Sequence, residues 1–396
     1  MQTAERSGAS SGDASSVDPV VRGSLKRVVA ACEFQAAGLY DPIAPRAADR
    51  LALLEWLTAR GVTLEQMIDA HPRQQSLSGL AGDLALRPRR RITARQIAER
   101  RGMRVEDVLT LSLAAGLSPR SADEPVYTED DFALFATFAV GATMFGDIAT
   151  RRFTRVVGSS LARIAEAAVS LFQVNVEQAI LDAGGSELAL AQQNLRAIES
   201  LKGTRGVLHI LLSAHIETAN RRLREARPER APDTPAFAVG FIDLVGFTTL
   251  AQNMASRELA AVIESFEEAA YDIVAAHDGR VVKLIGDEVM FVTRDAGAAC
   301  DIALALLERF ADDLTVTPRG ALTYGEVLVR SGDYYGPIVN LASRVAQIAV
   351  PNELLVTPEL AARAEAQTLR FEPAGRRMLK GLDKPATLLS LRRADR

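Results

Sequence analysis

The chain has 396 residues, which suggests about two domains at roughly 100–200 residues each. A hydrophobic share of 48% is ample for packed cores, and a net charge of −4 gives no global drive toward nucleic acid or an anionic membrane. Two cysteines, Cys32 and Cys300, make neither a disulfide framework nor a metal-ligand pair, which fits a reducing compartment.

Residues 1–18 are mainly Ser, Gly, Ala and Asp, too polar to bury much area, so a disordered tail is expected. Residues 19–206 are helical in pattern. Arg46 to Leu57 places apolar residues at three- and four-residue spacing, and Thr63 to Asp69 is a short helix with Thr63 as its N-cap. Arg91 to Leu109 has the outline of a helix-turn-helix, with Thr93 capping, Gly102 turning and Val105 opening the second helix. The basic run Arg87 to Arg91 precedes it. The second helix starts with Glu106 and Asp107 and then turns apolar, leaving few donors for bases or phosphates. A packing hairpin is expected here, and no nucleic-acid partner.

The longest weakly polar run, Phe132 to Gly146, falls short of the ~20 residues of a spanning helix, so it is expected as a buried helix. No charged-then-apolar signal opens the chain, and a cytoplasmic protein is expected. Gly158-Ser159-Ser160 reads as a close helix crossing; as a phosphate loop it lacks a preceding strand and a following Gly-Lys-Ser.

Residues 207–232 form an expected linker helix and Pro-rich boundary. Leu208, Leu212, Ile216, Ala219 and Leu223 share one face, and Arg221, Arg222 and Arg224 charge the last turn, as suits a helix C-terminus. His209 and His215 lie on this helix, His215 beside the apolar stripe. A packed, hydrogen-bonded histidine is one reading of His215. A proton sensor is the other, because imidazole titrates across physiological pH.

From Ala236 strands alternate with helices, and two hairpins are expected, at 279–293 and about 369–392. That pattern argues α/β with a mixed or antiparallel sheet. Ala236 to Thr248 is an apolar strand running into Asp243 and breaking at Gly246. Val281 to Val292 is a strand, a tight Ile285-Gly286-Asp287-Glu288 turn and a second strand. A hairpin that sets Asp287 beside Asp243 makes a two-carboxylate site for divalent cations; each Asp alone could equally be a turn or cap residue. Lys283, four residues before Asp287, is expected to share its face. Asn340 and Arg344 are one helical turn apart and share a face.

Residues 233–396 resemble the catalytic domain of class III adenylyl cyclases. The resemblance rests on Phe241-Ile-Asp-Leu-Val-Gly-Phe-Thr248, Lys283-Leu-Ile-Gly-Asp-Glu288, Gly332-Asp-Tyr-Tyr-Gly-Pro-Ile-Val-Asn-Leu-Ala-Ser-Arg344 and Leu379-Lys-Gly-Leu-Asp383, in this order and spacing. It implies a ferredoxin-like α/β fold with a mostly antiparallel sheet, and conversion of ATP to cyclic AMP. It implies two Mg²⁺ or Mn²⁺ ions on Asp243, Asp287 and the Ile242 carbonyl. Lys283 and Asp333 then select adenine, Asn340 orients the ribose, Arg344 stabilises charge at the reacting phosphorus, and Lys380 and Arg330 reach the phosphates. In this family the two residue sets of one site come from facing domains, so a homodimer is implied. A diguanylate cyclase, suggested by Gly286-Asp287-Glu288, is disfavoured because the second glycine and the following Phe of that family's motif are absent: Ile285 precedes and Val289 follows. The all-α region before the linker more diffusely resembles the autoinhibitory domain of mycobacterial-type soluble cyclases that respond to pH. It is therefore expected to regulate and dimerise, with His215 and His209 as candidate sensors and the helices around Phe132 to Phe145 as a candidate enclosure for an apolar ligand.

Overall fold

The computed structural model describes residues 29–72, 76–87, 92–226, 235–311, 315–364, 367–381 and 384–394. The expected tail at 1–18, the basic residues 88–91 and the Pro-rich segment 227–234 lie outside the described residues. The chain divides into two compact units, one ending at His209 and one beginning at Ile210. No helix among the described residues is long and apolar enough to cross a membrane.

The first unit is helical. Its helices include α1 (Ala47–Ala59), α2 (Leu64–Ala70), α3 (Leu80–Leu86), α4 (Ala94–Arg101), α5 (Val105–Ala114), α6 (Phe132–Phe145), α7 (Asp147–Phe172), α8 (Gln178–Asp182) and α9 (Glu187–Lys202). Thr63 and Thr93 each build a capping box, with Gln66 and Gln96 respectively, which satisfies two otherwise orphaned backbone donors at each helix start. Gly102 ends α4 in the left-handed conformation. The α4–α5 hairpin packs Ile97, Val108 and Leu111 into one small core. Its arginines face acids: Arg95 meets Asp123, Arg100 meets Glu129 and Arg104 meets Asp107. The close helix crossing is present. A Cβ at Gly158 of α7 would lie 2.7 Å from the Ala115 carbonyl at the end of α5.

The Phe132 to Gly146 run departs from expectation. It is helical, but of α6 only Phe135 is fully buried, while Val140, Met144 and Phe145 are exposed. A helix apolar all round needs cover on every side, and within one chain α7 covers only part of it. These exposed positions leave an enclosed apolar ligand there without support. The helix α10 (Arg205–Ala226) likewise exposes Leu208, Ile210, Leu212 and Ile216.

The second unit holds β1 (Ala236–Val245), α11 (Phe247–Asn253), α12 (Ser256–Ala276), β2 (Arg280–Ile285), β3 (Glu288–Thr293), α13 (Ala296–Arg309), β4 (Thr317–Glu326), β5 (Leu328–Arg330), β6 (Asp333–Tyr335), α14 (Pro337–Ile348), β7 (Leu354–Val356), α15 (Pro358–Ala361), β8 (Leu369–Arg377) and β9 (Ala386–Arg393). Seven strands form one sheet in the order β2-β3-β1-β4-β7-β9-β8, while β5 and β6 pair apart from it. Among the described residues, β4 and β7 are the one parallel pair. The fold is therefore α/β with a mostly antiparallel sheet.

The strand period of two sorts β1 between two cores. Ala238, Ile242 and Leu244 join the core built with α12 and α13, and Phe237, Val239 and Phe241 join the core built with α14. Asp243 follows Phe241 by two and so falls on the α14 side of the sheet.

The Gly158 crossing sets a stability test. Gly158→Leu forces a side chain into the Ala115 backbone and should cost about 1–3 kcal/mol, read as a lowered urea midpoint of the first unfolding transition of the full chain.

Candidate active site

The centre of the site is a row of charges across three strands. Asp243 of β1 is in register with Glu288 of β3 on one side and Arg319 of β4 on the other. Arg319 donates to Asp243 Oδ2 from Nε at 3.0 Å and from Nη2 at 2.8 Å. Its Nη1 donates to the carbonyls of Gln347 and Ala349, both at 3.1 Å, at the end of α14. That end carries the negative pole of the helix, so it suits a guanidinium.

Asp287 sits with Gly286 in the two-residue turn between β2 and β3, where Ile285 pairs with Glu288. The turn needs the positive φ of 64° that Gly286 adopts without strain. The Asp287 carbonyl accepts from Leu244 N–H at 3.3 Å, which ties the turn to β1. Burial pushes the Asp287 carboxyl up, and its contact with Asp243 adds to the rise. Burial followed by the charges of Asp243 and Asp287 pushes Glu288 up to about 7. The structure thus brings Asp243 and Asp287 together. Lys283 pairs with Met290 and so lies on the α14 side of the sheet, as Asp243 does, while Asp287 lies in the turn beyond the end of β2.

The donor set fits hard divalent cations. It offers carboxylate oxygens only, on groups whose raised proton affinity shows an unmet demand for positive charge. Arg319 already supplies part of that charge at Asp243. Ile242 is buried in β1 immediately before Asp243, where its carbonyl would be the additional oxygen. Among the described residues no group of three or more His, Cys, Asp or Glu is arranged to hold a metal by itself.

A second cluster lies elsewhere in the same unit. Lys283 Nζ donates to Asp333 Oδ2 at 2.7 Å, and Tyr334 N–H donates to Asp333 Oδ1 at 2.8 Å. Burial works against the Asp333 anion, but the bonds from Lys283 and Tyr334 outweigh it and hold the carboxyl below its usual range. A cavity of about 670 Å³ opens beside this pair, lined by Lys283, Tyr335, Gly336, Asn340, Arg344 and Gly381 among others. Asp243 and Asp287 do not line it. Asn340 and Arg344 share one side of α14, whose opposite side buries Ala342, Val345 and Ala346. Arg344 lies against Gly381, where a Cβ would stand 3.0 Å from Nη1. Lys380 is exposed next to Gly381, and Arg330 is exposed, cross-strand from Asp333. Leu379 and Lys380 of the last motif are described, whereas Leu382 and Asp383 lie outside the described residues.

His209 and His215 are exposed on α10 in the single chain. The end of α10 is tied down within the second unit. Arg221 Nη2 donates to Asp278 Oδ1 at 3.2 Å, and Arg222 Nη2 donates to the Gly279 carbonyl at 2.7 Å.

Sequence reasoning missed Arg319, the site role of Glu288, and the Arg221–Arg222 clamp. Strand register decides the first two, and no local motif carries register. The basic residues at the end of α10 were visible, but the partners of Arg221 and Arg222 lie 57 positions away.

Paired carboxylates stand at the end of the interior strand β1, and a cavity lined by Lys283, Asn340 and Arg344 opens beside Asp333. Residues 230–390 match the family model described as the adenylate and guanylate cyclase catalytic domain, and residues 33–215 match the adenylate cyclase regulatory domain. A protein named adenylate cyclase from Glutamicibacter nicotianae is 32% identical over 71% of this chain and 73% of its own. A pH-sensitive adenylate cyclase from Mycobacterium tuberculosis is 28% identical over 87% of this chain and 88% of its own. The crystal structure of the adenylyl cyclase CyaB from P. aeruginosa aligns at a TM-score of 0.38 and 22% identity, over 42% of this chain and 98% of that one. The chain belongs to the adenylate cyclase family.

The elevated Glu288 sets a pH dependence. Its folded value of about 7 lies above the ordinary 4.5, so between these the folded chain holds a proton that the unfolded chain has released. Stability from this group is full below about 4.5 and is lost as pH rises through about 7. In metal-free protein, Glu288→Gln should therefore raise the melting temperature by a few degrees near pH 8 and by much less near pH 5. Calorimetry at both pH values reads the difference.

Proposed function

We propose that this enzyme converts ATP to 3′,5′-cyclic AMP and pyrophosphate as a homodimer, with each active site shared between two catalytic units. The observation that carries this reading is the separation of two complete residue sets in one chain. The carboxylate pair at the end of β1 stands outside the cavity that Lys283, Asn340 and Arg344 line. A second copy facing the first supplies each set with its complement, and a twofold arrangement yields two equivalent sites.

The roles follow from donor and acceptor chemistry. Lys283 offers only donors and meets an adenine ring nitrogen; Asp333 offers only acceptors and takes the adenine amino group. Guanine presents the reverse pattern at that edge. Asn340 orients the ribose, and Arg344 from the same helix side faces the reacting phosphorus, where it stabilises developing negative charge. Lys380 and Arg330 hold the outer phosphates. Asp243, Asp287 and the Ile242 carbonyl hold two divalent cations, Mg²⁺ or Mn²⁺. When bound, these favour the attacking 3′-oxygen as an anion and offset charge on the leaving pyrophosphate.

The first unit regulates this chemistry. The support is the linker: α10 ends on Asp278 and Gly279, the turn that opens β2, and β2 carries Lys283 and leads to Asp287. A change in α10 thus reaches both residue sets through one strand. The exposed apolar residues of α6 and α10 support dimerisation through the regulatory unit, because such surface is stable when a second copy covers it. We assign pH response to protonation of His215, with His209 as the second candidate, biasing the arrangement of α10.

Complementation tests the shared site. Asp243→Ala and Arg344→Ala should each lower cyclic AMP production about a hundredfold or more. Mixed and re-formed as heterodimers, the two should recover roughly one quarter of parental activity, since half the dimers hold one intact site. Heterodimers that form without recovery would show that each chain builds its site alone. For the regulatory reading, activity is profiled from pH 5.5 to 8. His215→Ala should flatten the profile of the full-length chain, and an unchanged shape in both His215→Ala and His209→Ala removes these residues as sensors.

A further inference from the structure

Asp333 lies on a small hairpin whose strands do not pair with the main sheet. β5 and β6 are three residues each and pair only with each other. A two-stranded hairpin is marginal by itself. Its turn, Ser331-Gly332, has φ of 54° and 80°, the two-residue arrangement that matches strand twist but strains a serine. Something must fix this turn if Asp333 is to stand at a constant place.

Arg280 does so. Its Nη2 donates to the Gly332 carbonyl at 2.8 Å, and its guanidinium lies 5.7 Å from the ring centroid of Tyr334. Tyr334 is buried edge-on against Phe237, with ring centroids 5.3 Å apart. Arg280 therefore grips both the turn and the anchored residue that follows Asp333. The backbone of β2 is shaped for this. Arg280 and Lys283 are three apart, which in a regular strand points them to opposite faces. In β2, Val281 pairs with Phe291 and Lys283 with Met290, so Val282 is an extra residue, a bulge. The bulge brings both long cations to the same side. Both then reach the same hairpin, Arg280 at Gly332 and Lys283 at Asp333.

We propose that Arg280 is the positioning residue for base selection: by holding the Ser331-Gly332 turn it sets Asp333 where it can accept from adenine and disfavour guanine. The proposal rests on the assignment of Lys283 and Asp333 to the base. Arg280 touches neither nucleotide nor cation in this account, so its loss acts on substrate discrimination and not on the chemical step.

The test uses the full-length chain with Mn²⁺, measuring KM and kcat for ATP and the Ki of GTP as competitor. Arg280→Met keeps the apolar stem over Tyr334 and removes the donor; Arg280→Lys keeps one donor. Arg280→Met should raise KM for ATP about tenfold, leave kcat within about twofold, and lower the ratio of Ki(GTP) to KM(ATP) about tenfold. These sizes correspond to a tenfold change per 1.4 kcal/mol, the scale of one charge-assisted hydrogen bond. Arg280→Lys should recover much of the ratio. In an Asp333→Ala background, which has already lost the ratio, Arg280→Met should lower it no further.

Three results would overturn the proposal, and they differ. If Asp333→Ala lowers the ratio but Arg280→Met does not, Arg280 is idle while the base assignment stands. If Arg280→Met lowers the ratio equally with and without Asp333, it acts by another route. If Asp333→Ala leaves the ratio unchanged, the base assignment itself fails and the proposal falls with it.

Discussion

Three carboxylates gathered at one end of a buried strand dominate this unit. Asp243 and Glu288 are cross-strand partners, and Asp287 caps the adjacent turn. Like charges this close, partly withdrawn from water, cannot all ionise at low cost. The fold answers with Arg319, whose guanidinium is shared between Asp243 and the last carbonyls of α14. The same bond network therefore sets the position of α14, which carries Asn340 and Arg344, relative to the carboxylates. The remaining demand for positive charge, reflected in the elevated Glu288, is one that a divalent cation would satisfy.

β2 is the second organising element. Its preceding turn receives the end of α10, its bulge presents two cations to the β5–β6 hairpin, and its far end leads into Asp287. In the proposed regulation this one strand links the end of α10 to both residue sets. The surface of α6, α7 and α10 in the single chain is rich in exposed apolar residues, and it is the surface the proposed dimer would cover.

Much of the site was legible locally. Asp243, Asp287, Lys283, Asp333, Asn340 and Arg344 each sit in short motifs whose turn residues and spacing declare a strand end, a hairpin or a helix face. The caps at Thr63 and Thr93 and the crossing at Gly158 were legible for the same reason, since each depends on residues within one turn or on one missing side chain. Arg319 was not, because its partner is set by β1–β4 register across 76 positions. The burial of α6 was misjudged because composition reports how apolar a helix is, not how many neighbours cover it. Counting by two from Lys283 to Asp287 assumes an unbroken strand, and here the strand is bulged before Lys283 and turns before Asp287.

The amino-acid sequence by itself determined the division into a helical region and an α/β region, the hairpins that follow Gly279 and Leu369, and the chemical types of the candidate groups. These follow from hydrophobic period, turn residues and side-chain chemistry, which are properties of neighbouring positions. Only the tertiary structure decided which groups share a site: that Lys283 meets Asp333 and not Asp287, that Arg319 neutralises Asp243, and that Arg280 holds the turn before Asp333. Those pairings arise from strand register, one bulge and the docking of a small hairpin, each fixed by contacts between distant parts of the chain.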